Sequence, residues 1–101
     1  MPNIKFNYLY RDSGNYKKFN SVIFPNPDGV ELSELETIIK AKLIDETWFY
    51  TEQWKLPEIF TDIVYFRVDP TWHEFESVEF TDETADAGIS LGSFIGIITN
   101  A

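Results

Sequence analysis

Asn3-Ile4-Lys5-Phe6-Asn7-Tyr8-Leu9-Tyr10 is the stretch on which the fold turns. Ile4, Phe6, Tyr8 and Tyr10 fall on one side of an extended chain, and Lys5, Asn7 and Arg11 on the other, with Leu9 the exception. Successive side chains of a strand point to opposite faces, so a period of two rich in aromatics reads as a strand with one buried face.

Moving outward, Asp12-Ser13-Gly14-Asn15 is turn chemistry, and Phe19 to Phe24 reads as a second strand. The short gap predicts an antiparallel hairpin. Pro25-Asn26-Pro27-Asp28-Gly29 ends it, because proline cannot donate to a ladder and glycine supplies a turn. Ser33 and Glu36 have the spacing of a capping box, with Leu32 just before them. Leu35, Ile38, Ile39 and Leu43 then recur at helical spacing, opposite Glu34, Thr37, Lys40 and Lys42. Residues 45–60 read as a loop or short strand and then an irregular turn, with Pro57 limiting any helix. Ile63 to Val68 is apolar on both faces, as expected of a central strand, and Asp69-Pro70 breaks it. Residues 72–80 read as a further strand whose imperfect alternation suggests a bulge, followed by an acidic loop over 81–88. Leu91, Phe94, Ile95 and Ile98 match a short helix with Ser90 as its candidate cap, although Gly92 and Gly96 each weaken it by about 1 kcal/mol and leave a strand as the alternative. The expected architecture is α+β: one domain over 1–101, a four-stranded, mostly antiparallel sheet, and one amphipathic helix and a short C-terminal helix packed on one face.

Composition narrows the function classes. At 101 residues, with 44% hydrophobic and 17% aromatic residues, the chain can build one packed core. No cysteine is present, which excludes a disulfide scaffold, a zinc ribbon and thiol chemistry and fits a reducing compartment. The N-terminus has no charged-then-apolar pattern and no apolar run approaches the roughly 20 residues of a membrane span, so a cytoplasmic protein is expected. A formal charge of -9 argues against nucleic acid as a partner, because phosphate contacts need a cationic surface. The charge is uneven. Residues 1–44 carry six basic and five acidic groups, residues 45–86 carry two basic and twelve acidic, and residues 87–101 carry none.

Lys-Phe-Asn-Tyr-Leu-Tyr-Arg-Asp-x-x-Asn-Tyr-Lys (Lys5 to Lys17) resembles the start of a group of small bacterial proteins with no known activity, as do Trp72-His73-Glu74-Phe75, Glu79 and Thr81-Asp82-Glu83. The resemblance spans most of the chain and implies a single bacterial-type domain, without implying any chemistry. The sequence departs from the group at Gly92 and Gly96, where a better helix is usual.

Three stretches are candidate sites. The turn with Tyr10, Arg11, Asn15, Tyr16 and Lys17 has the cations to hold a phosphate or carboxylate and tyrosines to stack on it. The plainer reading is a turn whose Arg11 pairs with Asp12 or with a carboxylate across the sheet. His73, the lone histidine, lies among Asp69, Glu74 and Glu76 and is the one side chain that titrates near neutrality unperturbed. Neighbours on a strand face opposite ways, however, so His73 and Glu74 would not share a metal, and a structural histidine is the plainer reading. Around Trp48, Phe49, Tyr50 and Trp54, with Glu52 close by, aromatics mix with carboxylates, the composition of a protein-binding hot spot. Alternatively, those indoles close one edge of the core. No nucleophile elbow, phosphate loop or metal-binding His-Glu-x-x-His motif is present.

The expectation is therefore a small, acidic, non-enzymatic binding module without a cofactor or metal, of the immunity-protein or inhibitor kind. It would dock Trp48, Tyr50, Glu52, Trp54, Glu74 and Glu76 on a basic protein surface, as carboxylates mimic phosphates. The alternative is a nucleotide or metabolite site formed by Tyr10, Arg11, Asn15, Lys17 and His73.

Overall fold

The computed structural model describes residues 2–11, 17–56 and 73–100, except for the side chain of Glu52. Strands β1 (Asn3–Arg11) and β2 (Lys17–Phe24) are followed by helix α1 (Leu32–Lys42), strand β3 (Trp48–Phe49), helix α2 (Thr51–Trp54), strand β4 (His73–Thr81) and helix α3 (Leu91–Thr99). The strands form one sheet in the order β2-β1-β4-β3, and every pairing is antiparallel. The α+β class and the four-stranded sheet are as the sequence predicts. The turn at residues 12–15 and the strand expected at 63–68 lie outside the described residues. The fourth strand seen is the two-residue Trp48–Phe49.

β1 lies at the centre and its alternation organises the molecule. Ile4, Phe6, Tyr8 and Tyr10 are all essentially fully buried. Their partners in register continue the same face: Phe24, Val22 and Asn20 on β2, and Phe80, Val78 and Phe75 on β4. α1 supplies Leu35 and Ile39 to this core, α2 supplies Trp54, and α3 supplies Leu91, Phe94 and Ile98. Phe6 is its hub, with ring centroids 5.4–6.2 Å from those of Tyr8, Phe49, Trp54, Phe75 and Phe94. Such aromatic pairs add to the energy of burial itself. The bulge expected in β4 is present. Asn7 pairs with Ser77 and Tyr8 with Phe75, so Glu76 is the extra residue. This shift reverses the parity of β4, which lets Phe75 and Val78, three positions apart, both face the core.

The helix starts differ from expectation at one end and match it at the other. α1 starts at Leu32 with Glu31 in the cap position, and no side chain caps it. Ser33 therefore sits inside the first turn, and the predicted capping box does not form. Two packing facts account for this. Leu32 packs against the core, which favours the earlier start. Asn26 closes the preceding turn, accepting from Val30 N at 3.0 Å and donating to Val30 O at 3.1 Å, around Gly29 at φ 66°. At α3, Ser90 Oγ accepts from Ser93 N at 3.2 Å, as the sequence predicts. Gly92 lies close to the exposed Asp28 side chain. A Cβ at that position would stand 3.3 Å from Asp28 Oδ2, whereas one at Gly96 would meet nothing within 4 Å.

α2 was not expected. Pro57 limits a helix that runs up to it, but Thr51–Trp54 finishes before it. Lys55 turns left-handed at φ 57° and the Leu56 N–H closes back on Thr51 O at 3.0 Å. One helical turn is enough to drop Trp54 into the core.

Candidate functional site

The sharpest backbone feature lies just before β3. Ile44 N donates to Trp48 O at 2.7 Å and Trp48 N to Ile44 O at 3.0 Å, while Thr47 N closes on Ile44 O at 3.0 Å. The two central residues, Asp45 and Glu46, have φ of 51° and 60°. Positive φ at both centres is the hairpin geometry that suits the twist of flanking strands, and Asn-Gly is the usual filling. A non-glycine residue in this region costs about 1–2 kcal/mol, less for aspartate, whose short side chain can bond locally. The turn therefore holds its two exposed carboxylates at some conformational cost. It is anchored by Phe49, which is buried and stacked on Trp54 with centroids 4.6 Å apart.

Trp48 alternates with Phe49 and so belongs to the opposite face of the sheet. There the register runs Phe19, Leu9, Glu74, Trp48 across all four strands. Arg11 Nε donates to Glu74 Oε2 at 2.9 Å, and this pair is partly screened from water, with side-chain exposures of 38% and 16%. Glu76, the bulged residue, is exposed. Beside Trp48, the turn contributes Ile44, 46% exposed, together with Asp45 and Glu46. Ile44, Asp45 and Glu46 were not among the residues expected to bind. The signal available in the sequence was the acidic pair immediately before Trp48.

Trp54 requires a correction. It was expected on the docking surface but is 2% exposed, enclosed by Phe6, Phe49 and Phe94. Burial of so large a ring outweighs any gain from presenting it. Trp48 and Tyr50 remain partly exposed, and the Glu52 side chain lies outside the described residues.

The ligand constellation does not assemble as an open site. His73 is fully buried, with ring centroids 5.1 Å from Tyr10, 6.0 Å from Tyr8 and 6.2 Å from Phe49. Tyr10 is equally buried. A sealed imidazole cannot reach a solvent-borne substrate without rearrangement of the aromatic shell. Arg11 is held by Glu74, from the rival candidate surface, and Lys17 is exposed at the start of β2. Asn15 lies outside the described residues.

Two titrating groups on β1 respond to their surroundings for different reasons. Burial pushes the Tyr8 hydroxyl above its usual value, opposed by the hydrogen bond from Asn20 Nδ2 at 3.0 Å. On the opposite face, Lys5 Nζ donates to Glu83 Oε2 at 2.9 Å. That bond raises Lys5 and lowers Glu83 from their ordinary values, with further help at Glu83 from the Thr81 hydroxyl. Among the described residues, no group of three acidic or histidine side chains could hold a metal ion, and no helix is long and apolar enough to cross a membrane. A scan against protein-family models finds no match, and searches of curated proteins and of solved structures find none either.

Proposed function

We propose that the protein is a non-enzymatic binding module, of the inhibitor or immunity kind, that docks an acidic aromatic surface onto a basic protein partner. The surface is the Ile44–Trp48 turn with Glu74 and Glu76 beside it. The observation that carries this reading is the left-handed Asp45-Glu46 pair, which sets two exposed carboxylates between an exposed isoleucine and a partly exposed tryptophan. Strained backbone of this kind is concentrated at sites where function requires it. An apolar centre rimmed by charge is also the usual anatomy of a protein interface. The rival ligand reading has less support, because Tyr10 and His73 are sealed into the core.

The test exploits the strain. Asp45→Asn with Glu46→Gly gives the turn the sequence it prefers and removes both charges, so the fold should gain stability while binding weakens. The wild type, this double variant and Trp48→Ala are immobilised, the proteins each retains from a bacterial lysate are compared, and the retained protein is then purified for direct titration. The expected partner is basic, binds more weakly as salt rises, and loses at least about fivefold in affinity to each variant, the roughly 1 kcal/mol that marks a contributing contact. A partner that binds both variants as tightly as the wild type would overturn the assignment.

A further inference from the structure

The outward edge of β2 changes character at Ile23. Ile23 O accepts from Asp86 N at 3.0 Å and from Ala87 N at 3.1 Å, and Ile23 N donates to Asp86 Oδ1 at 2.8 Å. Two residues on, Pro25 O accepts from Leu91 N at 2.9 Å. The loop between β4 and α3 thus covers this end of the edge. Peptide groups along an antiparallel strand turn alternately toward its two neighbours. Ser21, Phe19 and Lys17 are in step with Ile23, so their N–H and C=O groups face away from β1. Among the described residues, no backbone group bonds to them from that side. Lys17 to Asn20 are exposed, Phe19 at 62%. A cleft of about 490 Å³ opens along the same edge, lined in part by Asn20, Ser21, Lys55, Asp86, Ala87 and Ile89.

Charge identifies the occupant. Lys17 and Lys18 stand at the head of this edge and Lys55 lines the cleft, all three exposed. Among the described residues the ion pairs are Lys5–Glu83 and Arg11–Glu74, and neither uses these lysines. In a chain of net charge -9 this is a local cationic edge. Lysines on a bare edge discourage indiscriminate strand pairing. A strand that carries carboxylates turns the same lysines into attraction. The chain supplies its own example, since it is the Asp86 carboxylate that caps Ile23 N. Edge-to-edge pairing with a second copy would instead bring Lys17 and Lys18 of both molecules to one seam.

We propose that the β2 edge from Lys17 to Ser21 binds an extended acidic segment of a partner protein as an added strand, with backbone bonds to Phe19 and Ser21 and the carboxylates of one strand face on Lys18 and Lys55, while Lys17, on the other face, adds to the attraction. Backbone pairing supplies affinity in such strand addition and the side chains supply selectivity. Among the described strands the site lies at the opposite end of the sheet from Trp48, so it stands or falls independently of the function proposed above.

A fluorescein-labelled octapeptide of alternating valine and glutamate tests this by anisotropy, with the valine–lysine peptide as its counterpart and amide hydrogen exchange as the structural readout. The glutamate peptide is expected to half-saturate below about 1 mM, a modest free energy for one added strand. The lysine peptide should bind at least tenfold more weakly, and K17E/K18E should reverse the preference. Binding should slow exchange at the Phe19 and Ser21 amides, while those of Lys18 and Asn20 are already protected by β1. No binding, equal binding of the two peptides, or binding without protection at Phe19 and Ser21 would overturn the proposal. So would protection of those amides by self-association in the absence of any peptide.

Discussion

Trp54 lies against Phe6, Phe49 and Phe94, and Trp48, a short way back along the chain, faces the opposite side of the sheet from all three. The two indoles share a stretch of similar composition, and only one belongs to the core. The difference comes from local geometry. A strand alternates its side chains, so Trp48 and Phe49 part company, and a single helical turn then carries Trp54 back under Phe49. Closeness in sequence therefore says little about a shared surface where a strand passes into a helix. The most direct way to break this comparison is to truncate both rings. Trp54→Ala should cost about 3–5 kcal/mol in urea unfolding, as expected for a fully buried aromatic. Trp48→Ala should cost less than about 1 kcal/mol, in the range of partly exposed positions. Equal losses would mean that both rings serve the core and would leave the proposed docking surface without its centre.

The same contrast shows what could be read from the sequence. β1 was legible except at Leu9, which is buried on the opposite face, because a strand that buries one face writes its environment in a period of two. The bulge in β4 was legible too, since no regular strand could place both Phe75 and Val78 inward. α2 and the burial of Trp54 were not. A four-residue helix is too short to show periodicity, and its stability comes from packing that the sequence does not display. The docking candidates share a composition, whereas the fold sorts side chains by direction. Asp45 and Glu46 gave a weak signal because neither residue advertises a left-handed conformation in the way glycine does.

The two helix starts sharpen the comparison at a smaller scale. Ser90→Ala removes the acceptor for Ser93 N and should cost about 1 kcal/mol. Ser33→Ala, inside the first turn of α1, should change stability by less than about 0.5 kcal/mol. A larger loss at Ser33 would mean that the capping box operates in solution. The glycines of α3 make a similar pair. Gly96→Ala, in open space on the exposed side of the helix, should stabilise by about 0.5–1 kcal/mol in thermal or urea unfolding. Gly92→Ala should gain less, because the Asp28 carboxylate must shift slightly to admit the new methyl group.

The smallest effects belong to titration, where β1 carries a contrast between its own two faces. Tyr8 is raised chiefly by burial, so it stays neutral in the folded protein while the unfolded chain ionises above about pH 10. Its contribution is therefore complete below that pH and is lost as pH rises through the folded value. Lys5, raised by Glu83, moves stability in the same direction on the alkaline side, whereas Glu83, lowered by Lys5, contributes above about pH 4 and loses that contribution as pH falls through its folded value. The causes separate under salt. The Lys5–Glu83 bond is exposed and screened, so its alkaline and acid slopes should fade in high salt and disappear together in Glu83→Gln. The Tyr8 slope arises from desolvation, so it should persist in high salt and disappear only in Tyr8→Phe. If stability measured against pH on the alkaline side proved wholly salt-sensitive, water would have to reach the Tyr8 hydroxyl, and the core face of β1 would be more open than its packing implies.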